Sequence, residues 1–179
     1  MRMVDKAIEF AAEAHAGDVR KGTNTPYFTH PFAVGLLLAE AGCAEAVVCA
    51  GILHDTVEDT PVELEDLVRE FGEQVAVLVA GASEPDKTKS WRERKEHTHA
   101  YLQTAPREIC LVSCADKLHN LRCLKRDLEV EGETVFDKFN AKRDAQKWYY
   151  EGVVQALADT RAGHALYDQL KQEVQTVFG

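Results

Sequence analysis

Apolar residues return at intervals of three and four along nearly the whole chain, the spacing that lines one face of an α-helix. Val4, Ile8, Ala11, Ala12 and His15 form the first such stripe, and Gly17 is placed to stop it. Residues 17–29 are polar and turn-rich, with Gly22, Asn24 and Pro26. Pro31 suits the first position of a helix that runs on to Gly42, a good C-terminal cap. Residues 44–55 are apolar on nearly every side, which predicts a buried central helix. Thr60-Pro61-Val62-Glu63 reads as a capping box opening a helix that ends near Gly72, with another from Glu73 to Ala82. A loop over 83–90, including Pro85, Asp86 and Lys87, leads to a second capping box, Ser90-Trp91-Arg92-Glu93. That box opens a charged helix toward Thr104, and Pro106 starts the next, with Leu111, Ala115, Leu118 and Leu121 on its apolar face. A polar stretch at 129–133 separates it from a helix through Trp148 and Leu157, and a last amphipathic helix covers His164 to Val177. No segment alternates cleanly as a strand would, and no repeat or linker breaks the pattern. The expectation is one all-α domain over 1–179, a compact helical bundle.

Composition adds limits. The chain has 179 residues, enough for a single hydrophobic core. No apolar run is long enough to span a bilayer, and residues 1–10, with Asp5 and Glu9, do not resemble a signal peptide. The five cysteines are odd in number and form no C-x-x-C pair, which reads as reduced core thiols in a cytoplasmic protein rather than a cysteine metal site. A formal charge of −9 argues against a general nucleic-acid binder. It leaves room for a small anionic ligand focused by a local basic cluster.

The chemistry gathers in three segments. His54-Asp55 sit at the end of the most apolar stretch, where both are unfavourable unless paired. Glu58 and Asp59 follow four residues on, so a continuing helix would place His54 with Glu58 and Asp55 with Asp59. His30 stands just before a helix start, and Asp116 interrupts an apolar helical face where a carboxylate needs a cation. Two imidazoles and two carboxylates suit a divalent ion with open positions, whether manganese, iron, cobalt or zinc. Alone, a His-Asp doublet at a helix end is usually a cap or a surface pair; the other two segments give it weight.

These residues resemble the HD superfamily of metal phosphohydrolases in the order His30, His54-Asp55, Asp116. Arg20-Lys21-Gly22, Thr25-Pro26-Tyr27-Phe28-Thr29-His30-Pro31, Leu53-His54-Asp55-Thr56-Val57-Glu58-Asp59-Thr60 and Ala115-Asp116-Lys117-Leu118-His119-Asn120-Leu121-Arg122 are similar to the hydrolase domain of Rel/SpoT-type alarmone enzymes. The chain resembles the stand-alone, animal Mesh-type branch from about Ala7 to Leu157. The resemblance implies a helical bundle that holds Mn²⁺ through His30, His54, Asp55 and Asp116. It implies release of pyrophosphate from the 3′ position of a nucleotide such as ppGpp, with Glu58 and Asp59 as catalytic carboxylates. Arg20 and Lys21 would lie against base and phosphates, and Asn120 against the nucleoside.

Elsewhere the sequence is less directive. Lys87, Lys89, Arg92, Arg94 and Lys95 form a second basic segment, and Lys138, Lys142, Arg143 and Lys147 a third; most read as helix-surface charges, with a few able to line a phosphate site. Trp148, Tyr149 and Tyr150 read as core or half-buried aromatics, one of them a candidate ligand contact. His15, His97, His99, His119 and His164 read as structural or exposed. Trp91 stands where the Mesh-type pattern has a lysine, so guanine versus adenine preference stays open, as does homo-oligomer formation. Two other readings remain: an HD phosphohydrolase of another nucleotide or phosphomonoester, and a catalytically silent nucleotide-binding module.

Overall fold

The computed structural model describes residues 2–84, 88–161 and 164–179, without the side chains of 159–161. Pro85, Asp86 and Lys87 of the expected loop lie outside the described residues. The order is α1 (Met3–Ala14), α2 (Thr29–Glu40), α3 (Glu45–Leu53), α4 (Thr56–Asp59), α5 (Leu64–Phe71), α6 (Glu73–Ala82), α7 (Trp91–Leu102), α8 (Arg107–Glu131), a 3₁₀ segment (Gly132–Lys138), α9 (Arg143–Arg161) and α10 (Ala165–Phe178). The described residues contain no strand, only one isolated bridge between Val19 and Pro26. That bridge closes the polar loop after α1 and presents Arg20 and Lys21 at its tip. Among the described residues no helix is long and apolar enough to cross a membrane.

The centre is α3. Every residue from Ala46 to Leu53 is buried, as its all-round apolar sequence requires. It packs against α1, α2, α6 and α8. Small residues let α2 and α3 approach closely: a Cβ on Gly35 would lie 2.3 Å from Ile52 Cγ1, and one on Gly51 2.3 Å from Leu38 Cδ1. The longest helix, α8, passes beside this centre and buries Asp116 one turn on from Val112. Its C-terminal half is covered by α10 and the 3₁₀ segment, while α7 packs on α9. Phe178 at the chain end fills the gap between Phe136 and Tyr150, with ring centroids 6.3 and 5.9 Å away.

Several boundaries differ from the sequence reading. The helix expected over 44–55 stops at Leu53, and α4 begins after His54 and Asp55. Pro31 occupies the third position of α2 instead of the first, still within the turn where a missing N–H is harmless. The Thr60 box does not start α5. The Thr60 hydroxyl is bound to Thr56 O at 2.6 Å, and Glu63 with Asp66 forms the box instead. The second box is as expected, with Ser90 and Glu93 capping each other. Helix α8 runs through the polar 129–131 stretch to Gly132, whose φ of +65° ends it.

Candidate functional site

His30 sits in the first turn of α2, His54 and Asp55 fill the break between α3 and α4, and Asp116 lies mid-way along α8. The packing of α2 and α8 on α3 therefore brings together side chains up to 86 positions apart, as the difference between 116 and 30. Ligand-type atoms of His30, His54 and Asp116 all lie within 4.8 Å of one another, and all three residues are buried. Asp55 Oδ2 is 3.1 Å from His54 Nε2 and 3.7 Å from His30 Nε2. Asp116 Oδ1 is 3.2 Å from His30 Nε2 and 3.8 Å from His54 Nε2.

The ring tautomers follow from the outer partners. His54 Nδ1 lies 2.8 Å from Gly51 O, which can only accept, so Nδ1 carries the proton. The inward Nε2 is buried and makes no hydrogen bond. In the neutral ring its lone pair faces two carboxylates, an arrangement that a cation satisfies and that nothing else among the described residues does. With the pair left to protons, burial disfavours the charged His54 ring, but Asp55 and Asp116 outweigh it and hold its pKa well above the ordinary histidine value. Burial opposes ionisation of Asp116 as well, yet Lys117, His30 and His54 hold it well below the usual carboxylate range. The donor set and the orphaned nitrogen thus fit a divalent metal.

Around this set stand groups that fix it. Tyr27 donates its hydroxyl to Asp55 Oδ2 at 2.6 Å and reaches Asp59 Oδ2 at 3.5 Å, joining the two carboxylates. Asp59 N–H also bonds Asp55 O at 2.9 Å, so α4 keeps helical register across the break. Asp55 and Asp59 thus meet, as the spacing suggested. Glu58 Oε2 accepts the Glu84 N–H at 3.2 Å. Lys117, half-buried, bonds Asp116 Oδ2, and Asn120 Nδ2 donates to Asp116 Oδ1 at 2.6 Å. Arg20 in turn donates to Asn120 Oδ1 at 2.9 Å.

A cavity of about 500 Å³ lies beside this cluster, bounded on that side by Tyr27, Lys117, His119 and Asn120, which contact the candidate ligands, and its volume suits a small-molecule ligand. Arg20, Lys21, Lys95, Lys117 and Arg126 make its wall cationic against the lone acid Asp127. Phe139, Trp91, Tyr149 and Tyr150 give it apolar faces. The Arg20 guanidinium lies 5.6 Å from the Tyr27 ring and Lys21 6.0 Å from Phe139. A basic, aromatic-lined hollow adjoining a candidate metal set can take a phosphorylated, ring-bearing molecule.

Residues 7–146 match the HD domain family. The chain belongs to the HD-domain family. It is 41% identical over 129 residues to a GTP pyrophosphokinase of Streptomyces coelicolor, covering 70% of this chain and 15% of that protein. It is 40% identical over 124 residues to a guanosine-3′,5′-bis(diphosphate) 3′-pyrophosphohydrolase of Aquifex aeolicus, covering 68% of this chain and 18% of that one. The chain therefore spans less than a fifth of the length of these relatives. A solved metazoan ortholog of SpoT, described as hydrolysing ppGpp, superposes with a TM-score of 0.80 at 28% identity over 98% of this chain and 96% of that one.

The structure of this HD domain brings His30, His54, Asp55 and Asp116 together, with Asp59 joined to Asp55 through Tyr27, while Glu58 and Asp59 do not line the cavity. Arg20, Lys21 and Asn120 line the cavity. It also adds some. His119, expected to be structural or exposed, has its Nδ1 2.7 Å from His30 Nδ1. Burial, with His30 and Arg20 nearby, lowers its pKa to about 4, so its ring is neutral and its Nδ1 can accept a hydrogen bond from the His30 Nδ1–H. That would leave His30 Nε2 with its lone pair inward, matching His54. Tyr27 and His119 each stand three residues from a ligand candidate on a helical or near-helical stretch, and that spacing was the available signal. Of the five thiols, Cys49, Cys110 and Cys114 are buried as expected, but Cys43 and Cys123 are partly exposed and Cys123 lines the cavity. Trp148 does not line it, although Tyr149 and Tyr150 do.

Proposed function

We propose that this HD domain is a metal-dependent 3′-pyrophosphohydrolase of nucleotide alarmones, ppGpp and by the same chemistry ppApp. The observation that carries the reading is the buried His54 Nε2 with no hydrogen bond, facing Asp55 and Asp116 behind Tyr27, Lys117 and Asn120 of a cationic cavity. The names of the Aquifex and metazoan relatives support the substrate. His30, His54, Asp55 and Asp116 would hold the ion, and the family resemblance makes Mn²⁺ the first ion to test among those this ligand set suits. Such an ion supplies Lewis acidity toward a phosphoryl oxygen and makes water a better nucleophile near neutral pH.

The chain supplies the rest. Arg20, Lys21 and Lys95 bind phosphates, and the guanidinium of Arg20, braced by Asn120, has a flat face for stacking on the base. Water attacks the phosphorus next to the ribose 3′ oxygen, the bond between them breaks, the 3′ oxygen takes a proton from solvent to leave as the hydroxyl, and pyrophosphate is released. Glu58 and Asp59 accept the proton that the water loses. Tyr27 holds Asp59 beside Asp55, and the Glu84 N–H holds Glu58.

Purified protein with Mn²⁺ and ppGpp or ppApp should release pyrophosphate; no release from either substrate rejects the proposal. Trp91 on the cavity wall favours a second reading, an HD phosphohydrolase of another nucleotide or phosphomonoester. Inorganic phosphate as the product would select it.

A further inference from the structure

Glu84 lies just beyond the end of α6, and its two polar ends serve two separate parts of the site. Its peptide N–H donates to Glu58 Oε2 at 3.2 Å. Its carboxylate pairs with Arg94 through one oxygen and Lys95 through the other. The pairs are shielded from water, with 17% of the Glu84 side chain and 15% of Lys95 exposed, so they are unlike the loose pairs of a protein surface. Lys95 lies 4.9 Å from the Tyr149 ring and lines the cavity. The neighbouring Ser83 hydroxyl bonds Val79 O at 2.9 Å and reaches His54 O at 3.4 Å, so the segment is anchored to the histidine's own backbone.

A carboxylate at the edge of a phosphate cavity works against ground-state binding of an anion. Its contribution must come from alignment. We propose that Glu84 is a positioning residue for phosphate cleavage, fixing Lys95 and Arg94 with its carboxylate while its peptide N–H orients Glu58. The proposal rests on the hydrolase reading above. It links the wall that meets the phosphates to the carboxylate that takes the proton, through one residue that touches neither substrate nor metal.

Glu84→Gln keeps the N–H and the side-chain length and removes the charge. With Mn²⁺ and ppGpp, kcat should fall about tenfold. KM should stay level or drop, because two uncompensated cations now favour the anion. Glu84→Asp, which retains charge, should recover part of the loss. Acylation of lysines followed by peptide mass spectrometry reads the clamp without turnover, and Lys95 should label several-fold faster in Glu84→Gln than in the wild type. Unchanged kcat, a rise in KM alone, or unchanged Lys95 labelling in an active enzyme would each overturn the proposal. A wild-type protein that releases no pyrophosphate would instead defeat the hydrolase reading itself.

Discussion

Asp116 shows how one side chain serves both stability and chemistry. Its Oδ1 faces His30 and His54 and accepts from Asn120, while its Oδ2 accepts from Lys117. Replacing it with alanine removes a candidate ligand and leaves the half-buried Lys117 without its counter-charge. Asp116→Ala should therefore lose bound metal and be destabilised by about 3 kcal/mol or more. Elemental analysis and urea midpoints check the two effects, and a fully metallated variant would contradict the assignment. Glu84 gives a pH signature. Burial alone would raise its pKa, but Lys95 and Arg94 outweigh that and hold it below the usual value. Its folded pKa is below its unfolded one, so its stabilising effect is present above about pH 4.3 and lost as pH falls through the lower folded value. Glu84→Gln should thus be less stable than wild type at pH 7, with the gap closing in acid; urea midpoints that differ equally at both pH values would refute this. His30, His54, Asp55 and Asp116 were legible because buried charges in apolar helices demand a partner. His119 and Glu84 were not, since each draws its meaning from a contact far away in sequence.

Among the elements, α2 and α3 carry the geometry, since one holds His30 and the other ends at His54. Their approach depends on Gly35, where a Cβ would meet Ile52 at 2.3 Å. Gly35→Ala should destabilise by about 1–3 kcal/mol through overpacking. A urea midpoint equal to wild type would show that the two helices can separate freely. Helices with strong periodicity, such as α1, α6 and α10, were readable from their stripes to within a residue or two. The break at His54 and Asp55 was not readable, because it follows from side chains turning toward α2 and α8. The box at Thr60 misled for a local reason: its hydroxyl accepts the Val62 N–H at 3.2 Å in a turn, and the helix begins only after Glu63, which pairs with Asp66.

For the molecule as a whole, an acidic chain of net charge −9 encloses a cationic cavity. This contrast should draw in a multiply charged nucleotide and weaken with ionic strength. Trp91 lines that cavity, and Trp148 lies 6.1 Å from it, ring to ring. Nucleotide addition should alter tryptophan fluorescence, with an apparent Kd that rises with salt; no change at any nucleotide concentration would place binding elsewhere. The all-α bundle was evident from periodicity alone, whereas the cavity arises only when the loop at Arg20, the middle of α8 and the start of α7 are packed together. The most direct test of the central claim is anomalous diffraction from crystals grown with Mn²⁺. The account predicts one strong peak within coordination distance of His30, His54, Asp55 and Asp116. A peak at another place, or none with the ion in excess, would contradict it.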